Sequence, residues 1–109
     1  MDLYHTTDSN GISELYPTAE KMRELLDSLD TRGAHEAEHP DVSLMHDPSG
    51  WTLSVYPTGV VTFENFDEAD DSPRFMNGIT RNQAFELWLY LSRGEIQQIK
   101  SRPWLRNEV

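Results

Sequence analysis

The chain has 109 residues, no cysteine and a formal net charge of −10. That length holds one domain (residues 1–109) around one core, and the lack of thiols excludes a disulfide framework, thiolate chemistry and a Cys-based zinc site. Nineteen acids against nine bases exclude a phosphate-binding surface of the nucleic-acid type.

The charge is uneven. Residues 1–92 carry 17 acids against 5 bases, whereas residues 93–109 carry 2 acids against 4 bases. An acidic surface steers basic proteins and also keeps a small domain in solution. No apolar run approaches the roughly 20 residues that span a bilayer, so no membrane partner is expected. Met1-Asp2-Leu3-Tyr4-His5 lacks the basic and apolar regions of a secretion signal, and a cytoplasmic location is the expectation.

In chain order, the first sixteen residues say little. Asp8-Ser9-Asn10-Gly11 is a turn, flanked by two short extended pieces at Leu3-Tyr4 and Ile12 to Tyr16. The first strong element follows Pro17. Thr18 is an N-cap, and Ala19, Met22, Leu26 and Leu29, with Leu25 beside them, form the apolar stripe of an amphipathic helix. Arg23 and Asp27 are spaced for an i,i+4 pair, and Gly33 is a stop signal.

The chain from Val42 to Asn65 reads as three strands joined by Asp47-Pro48-Ser49-Gly50 and Tyr56-Pro57-Thr58-Gly59. Each turn has Pro to preset φ and Gly where a left-handed residue brings the chain back. Pairing Tyr56 with Val60 sets Val55 against Val61 and Leu53 against Phe63. A four-residue first loop sets Leu44 against Leu53 and Val42 against Val55; a three-residue loop would bring Met45 there instead. The first register buries more branched residues and is preferred, leaving Met45 and Tyr56 on the opposite face. Trp51 reads as core, and His46, beside the first turn, as a surface residue.

Arg74 to Ile79 is a fourth, shorter strand. Thr80 and Gln83 form the capping box of a second helix whose stripe is Ala84, Leu87, Trp88 and Leu91, widened by Phe85, Leu89 and Tyr90. Gly94 ends it. Ile96 and Ile99 mark one or two further turns, after which Trp104-Leu105 folds back. The expected fold is α+β: a three- to four-stranded antiparallel β-meander with two main helices packed on one face, in the order helix, strands, helix, short helix.

Two stretches suggest chemistry. His35-Glu36-Ala37-Glu38-His39 matches H-E-x-x-H, in which two His one helical turn apart bind zinc and the Glu activates water. It sits between Gly33 and Pro40 with only alanines to anchor a buried face, so a polar connector is the competing reading. A catalytic site needs a third ligand, for which Asp41 and His46 are candidates that nothing in the spacing demands. The second stretch is the acidic loop Asp67, Glu68, Asp70 and Asp71, a docking patch for a basic partner or simply a solvated loop. It lacks the spacing and central Gly of a calcium loop. No nucleophile elbow or glycine-rich phosphate loop is present, and no cofactor is expected.

The run from Pro17 to Asp30, a polar connector, and Asp41-Val42-Ser43-Leu44 opening a meander resemble small acidic immunity proteins of bacterial polymorphic toxin systems. The likeness covers roughly the first 65 residues and lies in layout; no binding residue carries over. It implies a cytoplasmic domain that binds and blocks a toxin. The expected function is therefore a small, non-enzymatic protein-binding domain with a basic partner. The alternatives are a zinc-dependent hydrolase built on His35, Glu36 and His39, and a domain that self-associates through the outer sheet face near Tyr56. Oligomeric state is left open.

Overall fold

Two strands that precede the first helix extend the sheet beyond the expected meander. The structure is a computed structural model that describes residues 3–30, 41–65 and 74–106. β1 (Tyr4–Thr7) and β2 (Ser13–Leu15) form a hairpin around the Asp8–Gly11 turn. β1 then pairs antiparallel with β3 (Val42–His46), setting Thr6 against Leu44. β4 (Trp51–Val55), β5 (Val61–Asn65) and β6 (Arg74–Met76) follow as a meander, and β7 (Leu105–Arg106) adds a two-residue pairing beside β6. Among the described residues the sheet order is β2-β1-β3-β4-β5-β6-β7, every pairing antiparallel. A meander of three or four strands thus understates the sheet. The reason is local: His5, Thr6 and Thr7 carry no apolar alternation, so β1 forms by pairing with β3 and leaves no signature of its own.

The central strands match expectation residue by residue. Val42 faces Val55, Leu44 faces Leu53, Leu53 faces Phe63 and Val55 faces Val61. Gly50 and Gly59 take φ of 77° and 88°, which a side chain would resist. Gly59 also anchors the approach to α2, its carbonyl accepting from the Ile79 N–H at 2.9 Å.

α1 (Ala19–Ser28) starts where Thr18 Oγ1 accepts from the Lys21 N–H at 3.1 Å. Met22, Leu26 and Leu29 are buried, whereas Ala19, expected in the stripe, is exposed. Arg23 Nε lies 3.4 Å from Asp27 as the spacing predicts. The helix ends at Leu29; Gly33 lies outside the described residues. α2 (Arg81–Ser92) begins with the full Thr80/Gln83 capping box and buries Ala84, Leu87, Trp88 and Leu91. The Trp88 indole N–H donates to the Leu53 carbonyl at 3.1 Å, tying α2 to β4 with no water between. α3 (Ile96–Lys100) buries Ile99.

α1, α2 and one sheet face share a single core. The other face carries the intervening side chains. Pairing register places Ser13, Thr7, Ser43, Ser54 and Thr62 side by side across five strands of that face. His46 belongs to the core face and is only 5% exposed, so its reading as a surface residue is corrected. It alternates in phase with Val42 and Leu44, and period two carries it inward.

Candidate functional site

The residues singled out for chemistry divide into those described and those not. His35, Glu36 and His39, and the loop residues Asp67, Glu68, Asp70 and Asp71, lie outside the described residues. Asp41 is half-buried beside Tyr56, whose phenol is pushed above its usual value of 10.0, first by burial and then by Asp41 and Glu64. His46 Nδ1 lies 2.6 Å from Ser49 Oγ, which also accepts from the Trp51 N–H at 3.3 Å, so this pair knits the β3–β4 turn together. His5 Nδ1 lies 3.0 Å from Asp47 across the β1–β3 pairing. Among the described residues no three His, Asp or Glu side chains converge as metal ligands would. Nor is any described helix long and apolar enough to cross a membrane.

The most unusual surface is one that the sequence did not flag: the β2 edge of the sheet. Ser13, Glu14 and Leu15 are all exposed. Ile12 is 65%, Leu15 62% and Tyr16 43% exposed, three large apolar side chains in five consecutive residues. Such residues scattered singly need no explanation, but three along one short edge strand, on both of its faces, do.

Local chemistry holds this edge in shape. The Asp8 carboxylate accepts from the N–H groups of Asn10 and Ile12, both at 2.9 Å, fixing the turn into β2. At the other end Tyr16 takes φ of 51°, a left-handed conformation in a residue with a bulky side chain, directly before Pro17. Its ring meets Tyr4 edge-to-face at 5.4 Å, and the Tyr4 hydroxyl donates to the Pro17 carbonyl at 3.3 Å. Backbone strain of this kind persists where surrounding contacts over-determine it. Here it turns the chain from β2 into α1 while keeping the Tyr16 ring at the surface.

Between β2 and α1 run two adjoining hollows. One, of about 230 Å³, is lined by Thr6, Asp8, Ile12, Ser13, Glu14, Lys21 and Leu25. The other, of about 390 Å³, is lined by Glu14, Tyr16, Pro17, Thr18, Glu20, Lys21 and Glu24. Glu14 and Lys21 belong to both. Four carboxylates therefore face one ammonium, and Lys21 Nζ already lies 3.8 Å from Glu24. The hollows mix the apolar Ile12, Leu25, Tyr16 and Pro17 with an excess of carboxylates. Chain order holds a hint of this, since Ile12, Glu14 and Tyr16 alternate with Ser13 and Leu15. The exposure and the closeness to α1 emerge only in the fold.

No protein-family model, curated protein or solved structure matches this chain.

Proposed function

We propose that the chain is a small, non-enzymatic protein-binding domain that docks a basic partner along the groove between β2 and α1. The observation that carries this is the coincidence, in one groove, of the exposed Ile12 and Tyr16 with the carboxylates of Asp8, Glu14, Glu20 and Glu24. Apolar anchors set residence time and complementary charge sets encounter rate and partner choice. The overall charge of −10 supports the same polarity of partner. An immunity-type inhibitor, which must hold a basic toxin, is the biological setting that fits this chemistry. The acidic run Asp67, Glu68, Asp70 and Asp71, outside the described residues, adds to the negative charge that favours such a partner.

The test is co-purification with basic proteins, including the product of a neighbouring open reading frame, followed by titration of the pair. Glu14→Lys with Glu20→Lys is expected to weaken binding at least tenfold while leaving the fold intact, and added salt to weaken the parent complex. Neutralising that run (Asp67→Asn, Glu68→Gln, Asp70→Asn, Asp71→Asn) reports its share separately. A basic partner that binds equally well to the charge-reversed groove, or a candidate toxin indifferent to the domain, would defeat the reading.

A further inference from the structure

We propose that the partner enters this groove as an added β-strand: an extended segment, alternating basic with apolar or hydroxyl side chains, pairs with the β2 edge. The inference rests on the docking reading above and specifies its geometry.

The backbone supplies the first reason. Asp8 N–H donates to the Ile12 carbonyl at 3.0 Å and Tyr16 N–H to the Tyr4 carbonyl at 3.1 Å. In an antiparallel ladder, residues alternate between bonding their neighbour strand and facing away from it. Ile12, Glu14 and Tyr16 therefore bond toward β1, and the N–H and C=O groups of Ser13 and Leu15 point outward. Two such residues offer up to four main-chain hydrogen bonds to an incoming strand, which is how edge recognition gains affinity without reading sequence.

Side chains supply the second. Glu14 pairs with Thr6, which is buried on the core face, so Glu14 projects to the α1 side, where Glu20, Glu24 and Ile12 also line the groove. Leu15 pairs with His5 and Ser13 with Thr7 on the opposite face. An added strand thus turns one row of side chains to Glu14, Ile12 and Tyr16 with Glu20 and Glu24 of α1 beyond them, and the other row to Leu15 and Ser13. Lysine or arginine alternating with valine, leucine or threonine satisfies both rows.

Charge decides between a partner and a second copy. Sheet edges attract one another, and proteins guard them with short strands, charge or proline. Two copies pairing through β2 would bring Glu14, Glu20 and Glu24 of each toward those of the other, like charges along one seam. A basic strand meets the same residues as opposite charges. The edge is therefore closed to itself and open to a cationic chain.

The experiment uses the full chain and a synthetic seven-residue peptide alternating lysine with valine and threonine. A second peptide of identical charge carries N-methyl groups on the backbone nitrogens that would bond β2. Titration followed by amide hydrogen exchange is expected to show at least tenfold slowing at Ser13 and Leu15 with the first peptide, and at least tenfold weaker binding of the second. Ser13→Pro, which removes an outward N–H and no main-chain bond to β1, is expected to weaken the first peptide similarly, and Ser13→Ala, which removes only the 3.1 Å contact of Ser13 Oγ with Thr7 Oγ1, to leave it bound. Equal binding of both peptides without protection of Ser13 and Leu15 would overturn strand addition, yet leave groove docking standing if Glu14→Lys still abolishes it. Failure of the first peptide to bind, or protection of the same amides in the free chain together with a dimer in sedimentation, would overturn it as well.

Discussion

The two ends of the sheet are finished in different ways. At the β7 end aromatic rings stack on one another, and three of the described cations lie over them. Trp51 stacks on Phe63 at 4.3 Å, and Phe63 on Trp104 at 5.4 Å. Arg74 lies 5.3 Å and Lys100 4.8 Å from the Trp51 ring, and Arg102 lies 5.8 Å from Tyr90. At the β2 end the carboxylates outnumber the one lysine, and Ile12, Leu15 and Tyr16 stand in solvent. Among the described residues, positive charge at the β7 end lies against aromatic faces, while negative charge at β2 lines an exposed groove. A net charge alone would not reveal that division.

The largest effect separates a covered edge from an open one. Trp104→Ala removes the stack on Phe63 and the indole hydrogen bond to the Ile99 carbonyl at 2.7 Å. It is expected to cost about 2–3 kcal/mol, below the range for fully buried tryptophan because Trp104 is only partly covered. Leu15→Ser, at a side chain 62% exposed, is expected to change stability by less than about 0.5 kcal/mol. Urea denaturation of both variants checks the pair. Comparable losses would mean that β2 is as structural as β7 and that its apolar residues need no partner.

A smaller effect tests the cations. Lys100→Gln keeps the length of the side chain and removes its charge from the Trp51 face, with an expected loss of about 0.5–1 kcal/mol. A double-mutant cycle with Trp51→Leu isolates that contact, and a coupling energy near zero would return Lys100 to the pool of surface charge.

How far the sequence reveals this division depends on whether a signal is local. Both turns of the meander, the Thr18 and Thr80 caps and the hairpin registers were all legible, because Pro, Gly, Thr and the apolar alternation act within a few residues. The Trp104 fold-back was legible from the same kind of cue. β1 and β2 were not recognised as sheet strands, since Tyr4 to Thr7 gain their place from pairing with a segment some forty residues away. The candidate site suffers most. Its groove needs β2, a left-handed Tyr16 and α1 together, whereas the dense runs at residues 35–39 and 67–71 stand out in the sequence by local spacing alone.

Tyr16 itself offers a finer cut. Tyr16→Gly relieves a left-handed backbone, worth about 1–2 kcal/mol. Against this stand the lost contact with Tyr4, about 0.5–1.5 kcal/mol, and the greater freedom of the unfolded chain, about 0.4–1 kcal/mol. The terms nearly cancel, and the melting temperature is expected to move little while affinity for a basic partner falls. A marked gain in stability with binding untouched would show a strained residue with no docking role.

The slightest effect concerns a tyrosine between the two ends, where burial and charge act together. Tyr56 follows β4, and its phenol is held above 10.0 by burial first, then by Asp41 and Glu64. The folded state therefore keeps this proton more tightly than the unfolded chain does. Its contribution to stability is fully present below pH 10.0 and is lost as pH rises from there through the folded value. Unfolding free energy is expected to decline more steeply above pH 10 in the parent than in Tyr56→Phe. Salt should recover only the part owed to the two carboxylates, since screening reaches exposed charge and not burial. If salt erased the whole difference, the acidic field would outweigh packing even at mid-sheet, and the β2 edge would differ from the rest of the molecule only in exposure and no longer in charge.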